Sequence, residues 1–449
     1  MASSRPVHPA RPRVAFALLV AAAAVGCGRT GLLLDDVFDG TGPFGRDGGG
    51  DGSTNGDGST DGRADGDDTE AGPFDDAGTI DIGPVTVPNL PQVTAGDSHA
   101  CVRTIKDEVF CWGLGAEGQL GNRSTDPISL TALKVEGLPP IARVSAGRKY
   151  SCALGRDQTV WCWGENLEGQ LGRGTRSQVE LEPAPIAALT GTVALSAGGS
   201  VGEGLGSHTC SLDQDGAVWC WGRNSSGECA LGTSDHALVP NKVALGEKAT
   251  AIAAGGNHTC ALLTTGKVSC WGRNDDGQLG FGQSGGFEFE PEEVFGLSDV
   301  VGISAGDDHS CAIVKGGAMK CWGDGFLGEL GDGKAQASYR PVDVVGIKDA
   351  VDSSGGVEHE CMIHRSGTVS CWGKGVQGEL GIGSLPYFQK APVFALVSGV
   401  VSIATGSIFT CAGLRSGQVS CWGGAAVGQL GYGPPRVEFE PSPVMVLGL

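Results

Sequence analysis

Fourteen of the sixteen cysteines stand in pairs ten positions apart: Cys101 and Cys111, Cys152 and Cys162, Cys210 and Cys220, Cys260 and Cys270, Cys311 and Cys321, Cys361 and Cys371, Cys411 and Cys421. Paired thiols can hold a metal, form a disulfide or lie inert. Zinc ligands usually pair at C-x2-C to C-x4-C, so a C-x9-C pair fits zinc poorly. CALLTTGKVSC reads better as a hairpin. Centred on Thr265, it puts Cys260 opposite Cys270 and Leu262 opposite Val268, around a three-residue loop ending in Gly266. Directly opposed strand residues lie about 4.5–5.5 Å apart at Cα, close enough to bridge. Seven disulfides, each within its own hairpin, are expected, each worth roughly 2–3 kcal/mol in the chain-entropy model. Five copies have Gly at the third loop position; Asp107 and Gln158 replace it in the first two. Gln tolerates positive φ poorly, so strain or a different turn is expected there. Cys229 has no partner at this spacing; a free thiol and a bridge between molecules are both open.

Other residues could do chemistry. His99, His208, His258, His309 and His359 each precede the first cysteine of a pair by two, with Tyr150 and Phe409 in the remaining copies. A ring of imidazoles suggests metal. Yet a site is needed once, and a residue placed in every copy serves every copy. Hydrogen bonding or packing is therefore expected. Asp57, Ser59, Asp61, Asp65 and Asp68, with Gly62 at the turn, match a calcium-loop register. Asp/Gly repetition produces such registers by chance, and an unliganded spacer is preferred. No G-x-S-x-G, HExxH or Walker pattern occurs. No catalytic residue and no cofactor are assigned, and the chain is expected not to be an enzyme. Two irregular stretches are candidate binding loops, because loops carry function. One is GSVGEGLG, an insertion in the third copy with Gly199, Glu203 and Gly206; the other is GFEFEPEE, with Phe287 and Phe289. Cys229 reads as part of a further two-residue insertion, GECALG where other copies read GQLG or GELG.

These residues need a scaffold that repeats about every 50 positions. Trp and Gly follow every second cysteine, and GQLG or GELG begins six residues after the Trp. Two further short strands complete the unit, one like VVGISAG at Val300–Gly306 and one like PVDVVG at Pro341–Gly346. Four strands seven times, with no helical run, is the pattern of an all-β, seven-bladed β-propeller of four-stranded antiparallel blades. The first copy lacks a proline strand and the last, PSPVMVLGL, has an extra one, so the order reads as permuted. The C-terminal strand is expected to close the ring near the first blade.

The N-terminus differs. Arg5, Arg11 and Arg13 precede the apolar run Val14–Gly26, too short at about 1.5 Å per residue to span a bilayer. It reads as an export signal, which suits sixteen cysteines. AVGC resembles the lipobox of bacterial lipoproteins, which implies acylation of Cys27. Residues 1–26 are thus read as signal peptide, 27–84 as tether and 85–449 as propeller. From Asp35 to Pro84, thirteen Asp and one Glu face two Arg, a net −12. So little apolar surface cannot offset the entropy of ordering, and a disordered acidic Gly/Asp-rich linker is expected. The net charge of −20 argues against nucleic acid and anionic membrane surfaces.

AG-x-x-H-[ST]-C-A-L followed by G-x-V-x-C-W-G-x-N-x-x-G-Q-L-G resembles the repeat of the regulator of chromosome condensation family over Val85–Leu449. The resemblance implies a seven-bladed propeller. The family's eukaryotic founder is a guanine nucleotide exchange factor that docks on chromatin, and an exported acidic chain suits neither task. The expected function is a non-enzymatic binding propeller, displayed on the envelope or cell surface through lipid on Cys27. It would be a monomer whose partner is an unknown protein or a surface glycan. The alternatives are a polysaccharide-active enzyme with carboxylates in the channel, and nucleotide exchange.

Overall fold

The computed structural model describes residues 89–199, 206–435 and 437–449. The expected signal peptide, acylated Cys27, tether, calcium register and Glu203 lie outside these residues. Among the described residues, 28 strands form seven separate four-stranded antiparallel sheets. The blades span 92–134, 141–185, 192–242, 249–293, 300–343, 350–394 and 400–445. Innermost strands touch from each blade to the next and from the seventh back to the first, closing a seven-bladed β-propeller.

Blade 4 shows the local logic. Its strands, from the channel outward, are Ala249–Ala254, His258–Leu263, Val268–Arg273 and Phe287–Glu293. Leu263 N–H donates to Lys267 O at 2.8 Å and Gly266 N–H to Leu263 O at 2.9 Å, closing the three-residue turn. Gly266 has φ +74°, a conformation that costs most L-residues about 1–2 kcal/mol. Counting back, Cys260 faces Cys270 at a narrow, non-hydrogen-bonded position. The pair is bridged with Cα atoms 4.1 Å apart, as are its six counterparts. The second blade keeps the same turn rather than adopting another. Gln158 takes φ +68° and donates to Gly155 O, so the expected strain sits at that residue.

The core lies between blades. Cys260, Cys270, Leu279 and Val294 of blade 4 pack with Val300, Ala312 and Trp322 of blade 5. Trp112, Trp163, Trp221, Trp271, Trp322, Trp372 and Trp422 are fully buried. Each indole N–H donates to the carbonyl of the Gln or Glu inside the preceding blade's GQLG-type turn, as Trp322 does to Gln278 at 2.8 Å.

Two expectations need correction. The strand order is not permuted: every blade is four consecutive strands, and Phe439–Met445 is the outer strand of blade 7, paired to its own third strand. The segment just beyond it reaches blade 1. Six outer strands carry proline at one register position: Pro183, Pro240, Pro291, Pro341, Pro392 and Pro443. Proline offers no N–H, a common protection for edge strands. Blade 1 has Ala132 there, and its N–H donates to Leu447 O at 2.9 Å across the seam. Ala132→Pro should therefore lower stability by about 1 kcal/mol, through the lost bond and not through the backbone, which accepts proline in six blades. A urea midpoint equal to the native one would contradict this latch.

Cys229 is the second correction. GECALG is not GQLG with an insertion. Cys229 takes the buried position held elsewhere by Leu120, Leu171, Leu279, Leu330, Leu380 and Leu430. Its N–H donates to Asn224 Oδ1 as Leu279 N–H does to Asn274 Oδ1, and Ala230 takes the positive φ of the final glycine. The thiol is unbridged, fully buried and donates to Arg223 O at 3.2 Å. Burial pushes its pKa well up. It acts as a small core residue and is not presented to another molecule.

Candidate functional site: the loop face and channel mouth

Antiparallel order sends two kinds of connection to the same face: innermost-to-second and third-to-outer. The first kind surrounds the channel mouth. Six blades use three residues there, such as 255–257 between Ala254 and His258. Blade 3 uses ten, 198–207, between Ala197 and His208. The expected insertion therefore begins and ends at the mouth. Gly199 lines it, and Gly206 packs so tightly on Arg223 that a Cβ would lie 1.8 Å from its side chain. Phe287 and Phe289 are elsewhere. GFEFEPEE is mostly the outer strand of blade 4 and not a loop. Phe287 is 46 % exposed at the start of that strand, while Phe289 packs on Gly227 of blade 3. Among the described residues, the ends of the insertion lie at the channel mouth and the two phenylalanines on an outer strand.

The histidines build the wall behind the mouth. His99, His208, His258 and His359 each bond through Nε2, at 2.8–3.0 Å, to a hydroxyl of the next blade: Ser151, Thr259, Ser310 and Thr410. Those hydroxyls donate their one proton to the same GQLG-type carbonyl that the tryptophan uses. Nε2 must therefore carry the ring proton, which fixes the tautomer. Tyr150 reaches His208 O at 2.6 Å instead, and Phe409, with no polar atom, faces a blade whose equivalent residue is Ala100. In blade 5, His309 meets Glu360 at 3.2 Å. His309, Cys311 and Glu360 are close enough to suggest a metal, but Cys311 is spent in a disulfide. The structural reading of the ring holds.

Burial pushes the pKa values of His99, His208, His258 and His359 down to about 3. Below pH 6.5 the unfolded chain binds protons there that the fold does not, so stability falls with pH. Burial followed by neighbouring carboxylates pushes Asp308 and Glu329 up to about 7, and burial pushes Asp352 up to about 6. These favour the fold below pH 4 and lose that contribution as pH rises to 7. The two sets oppose each other between pH 4 and 6.5. Below pH 4 these three raised carboxyls are protonated in both states and no longer offset the histidines. Stability should then drop steeply from pH 4 to 3, by up to about 1.4 kcal/mol per pH unit per histidine. Equal urea midpoints at both pH values would contradict this.

The face is polar, with two sectors. Around the insertion, Arg148, Lys149 and Arg223 pair with Glu165, Glu117 and Glu228. Across blades 4 and 5 lie Asp276, Asp307, Asp308, Asp324 and Glu329; burial first, and then the neighbouring carboxylates, raise Asp308 and Glu329. Arg273 stands 3.7 Å from Asp308. The acidic sector was not anticipated from sequence, though the doublets Asp275–Asp276 and Asp307–Asp308 signal it. The cavity bounded by the described mouth residues is only about 80 Å³, room for a few waters. The face offers breadth and charge pattern instead.

Comparison with known proteins agrees with this architecture. Residues 203–448 match the RCC1-like domain, and 92–119, 141–170, 106–154 and 157–201 match regulator of chromosome condensation (RCC1) repeats. The chain is 35 % identical over 154 residues to the probable E3 ubiquitin-protein ligase HERC6 of Homo sapiens, covering 33 % of this chain and 14 % of that protein. It is 33 % identical over 155 residues to the ultraviolet-B receptor UVR8 of Arabidopsis thaliana, covering 33 % of each. It thus spans a third or less of these relatives. The solved structure of yeast RCC1 (Prp20) bound to Kap60 superposes with TM-score 0.67 at 24 % identity, over 76 % of this chain and 84 % of that one, which shows the fold. The expectation that the chain is not an enzyme does not stand: ligases are among its relatives, so kinship gives no ground for excluding catalysis. Repeat, register and ring agree, and this chain belongs to the RCC1-like domain family, built from regulator of chromosome condensation repeats.

Proposed function

We propose that this propeller docks a protein partner on its loop face, with residues 199–206 as the recognition element, and that it does so outside the cytoplasm on a lipid anchor at Cys27. The observation that carries the reading is the ten-residue connection at the channel mouth, where the other six blades use three. Regular repeats supply the scaffold, and a single departure at the centre of one face marks what the scaffold presents. Adjacent sectors of opposite charge suit a partner of complementary pattern, which gains orientation and on-rate. A relative, yeast RCC1 (Prp20), has been solved bound to Kap60. Seven disulfides support an oxidising compartment. The basic, apolar and cysteine-ended N-terminus supports export and acylation. The acidic stretch 35–84 would hold the propeller away from the membrane surface.

The test is affinity capture from envelope extract with the full chain, against a version lacking residues 200–206. The reading expects at least one partner to be lost with the loop. Equal recovery of every partner would refute it. Anchoring is read separately, as radiolabelled fatty acid incorporated into the native chain but not into Cys27→Ser.

A further inference from the structure

Among the described residues, blade 6 holds a constellation that no other blade has. Asp349 immediately precedes its innermost strand, His364 ends its second strand and Ser370 lies near the start of its third. His364 Nδ1 lies 2.8 Å from Asp349 Oδ1, and His364 Nε2 lies 2.8 Å from Ser370 Oγ. An ionised carboxylate only accepts, so Nδ1 carries the proton and Nε2 is left to accept the Ser370 O–H. That is the hydrogen-bonded order in which a histidine can act as base toward a serine. The repeat does not require it. The residues equivalent to His364 are Thr104, Gly155, Asp213, Leu263, Val314 and Leu414, and those blades close the same hairpin. Ser269 and Ser420 share the register of Ser370 but have no histidine beside them. A feature present once is where chemistry can reside.

We propose that Asp349, His364 and Ser370 form a serine nucleophile centre acting on esters of small apolar acids. Ser370 is 2 % exposed, and an exposed aromatic side chain stands beside it. Phe394 lies directly across the strand pair and stacks on the His364 ring, centroids 5.1 Å apart. Phe394 is on an outer strand and 64 % exposed, so it can turn outward. The acyl group of a substrate then takes its place against the imidazole, which sets the preference for an apolar acid. Ser370 Oγ bonds to the ester carbonyl carbon as its proton passes to His364 Nε2. The acyl C–O bond breaks, and the departing alkoxide takes that proton and leaves as an alcohol. Water then attacks the acyl-serine, giving one proton to His364, which returns it to Ser370 Oγ as the acid departs. Asp349 is a positioning residue, holding the ring and its tautomer.

The probe is an alkyl fluorophosphonate, whose phosphorus is attacked by an activated serine with loss of fluoride, applied to the full chain and mapped by mass spectrometry. One adduct is expected, on Ser370 and not on Ser269 or Ser420. Phe394→Ala should accelerate it, and His364→Gln should slow it by about 100-fold. Asp349→Asn should slow it and shift the acid limb of its pH profile downward, because the imidazolium loses its counter-charge. p-Nitrophenyl acetate and butyrate should be hydrolysed by the native chain and not by Ser370→Ala. The proposal is overturned if neither the native nor the Phe394→Ala chain labels at Ser370 while the Cys361–Cys371 bridge remains intact. Labelling that His364→Gln leaves unchanged would overturn it equally.

Discussion

Full reduction under denaturing conditions should leave a chain that cannot refold to the propeller until it is reoxidised. Each bridge closes a short hairpin loop, which is worth roughly 2–3 kcal/mol by chain entropy. Seven acting independently would contribute on the order of 15–20 kcal/mol, more than the about 5–15 kcal/mol by which whole domains are usually stable. All fourteen bridged cysteines are buried, so a reductant must wait for each hairpin to open. Under native conditions reduction should be slow, and a denaturant should speed it. A single pair removed, Cys260→Ala with Cys270→Ala, should cost about 2–3 kcal/mol in urea unfolding. Refolding of the fully reduced chain, seen by near-ultraviolet circular dichroism, would show that the bridges only decorate a fold that stands without them.

Loss of one repeated tryptophan should be the most damaging single substitution. Each fills the space between two blades and ties them by its indole N–H. Trp271→Ala should cost about 3–5 kcal/mol, through lost burial and the cavity left behind. Trp→Phe gives a finer test, because it keeps most of the area and removes the donor. At Trp271, the Glu228 carbonyl keeps a second donor in Thr259 Oγ1 at 3.0 Å. At Trp112 and Trp372, the equivalent hydroxyl position is Ala100 or Glu360, so the indole is the donor found for Gln429 O and Glu329 O among the described residues. Trp112→Phe and Trp372→Phe should each cost about 1 kcal/mol more than Trp271→Phe, the penalty of a buried acceptor left without a partner. Three equal urea midpoints would remove the rivet from the account.

Much of this was legible in advance because it depends on local geometry. Spacing and period-2 alternation fix the hairpin register, so the opposition of Cys260 and Cys270 followed from counting residues. The repeated histidines could be read as scaffold because they recur. What stayed hidden depends on the third dimension or on the phase of the repeat. A tandem repeat reads the same wherever its first unit begins, so only the pairing could show that the proline strand belongs to the blade before it. Cys229 looked like an insertion when matched letter by letter. Its place became plain from the buried leucine site it fills. GFEFEPEE alternates Phe with Glu, the pattern of a strand, which its departure from the other copies obscured. His364 and Ser370 are six positions apart across one hairpin, yet Asp349 joins them from the connection between two blades, and no sequence spacing marks that.

The central claim is a ring of separately stapled hairpins, and the direct measurement is thiol titration with disulfide mapping of protein kept away from reductant. Native protein should show no reactive thiol from Cys229, because it is buried. Unfolding without reductant should expose that thiol, plus Cys27 if it is not acylated, and peptide mapping should find seven pairs, each spanning ten positions. Three or more free thiols, or one bridge joining two blades, would contradict the account.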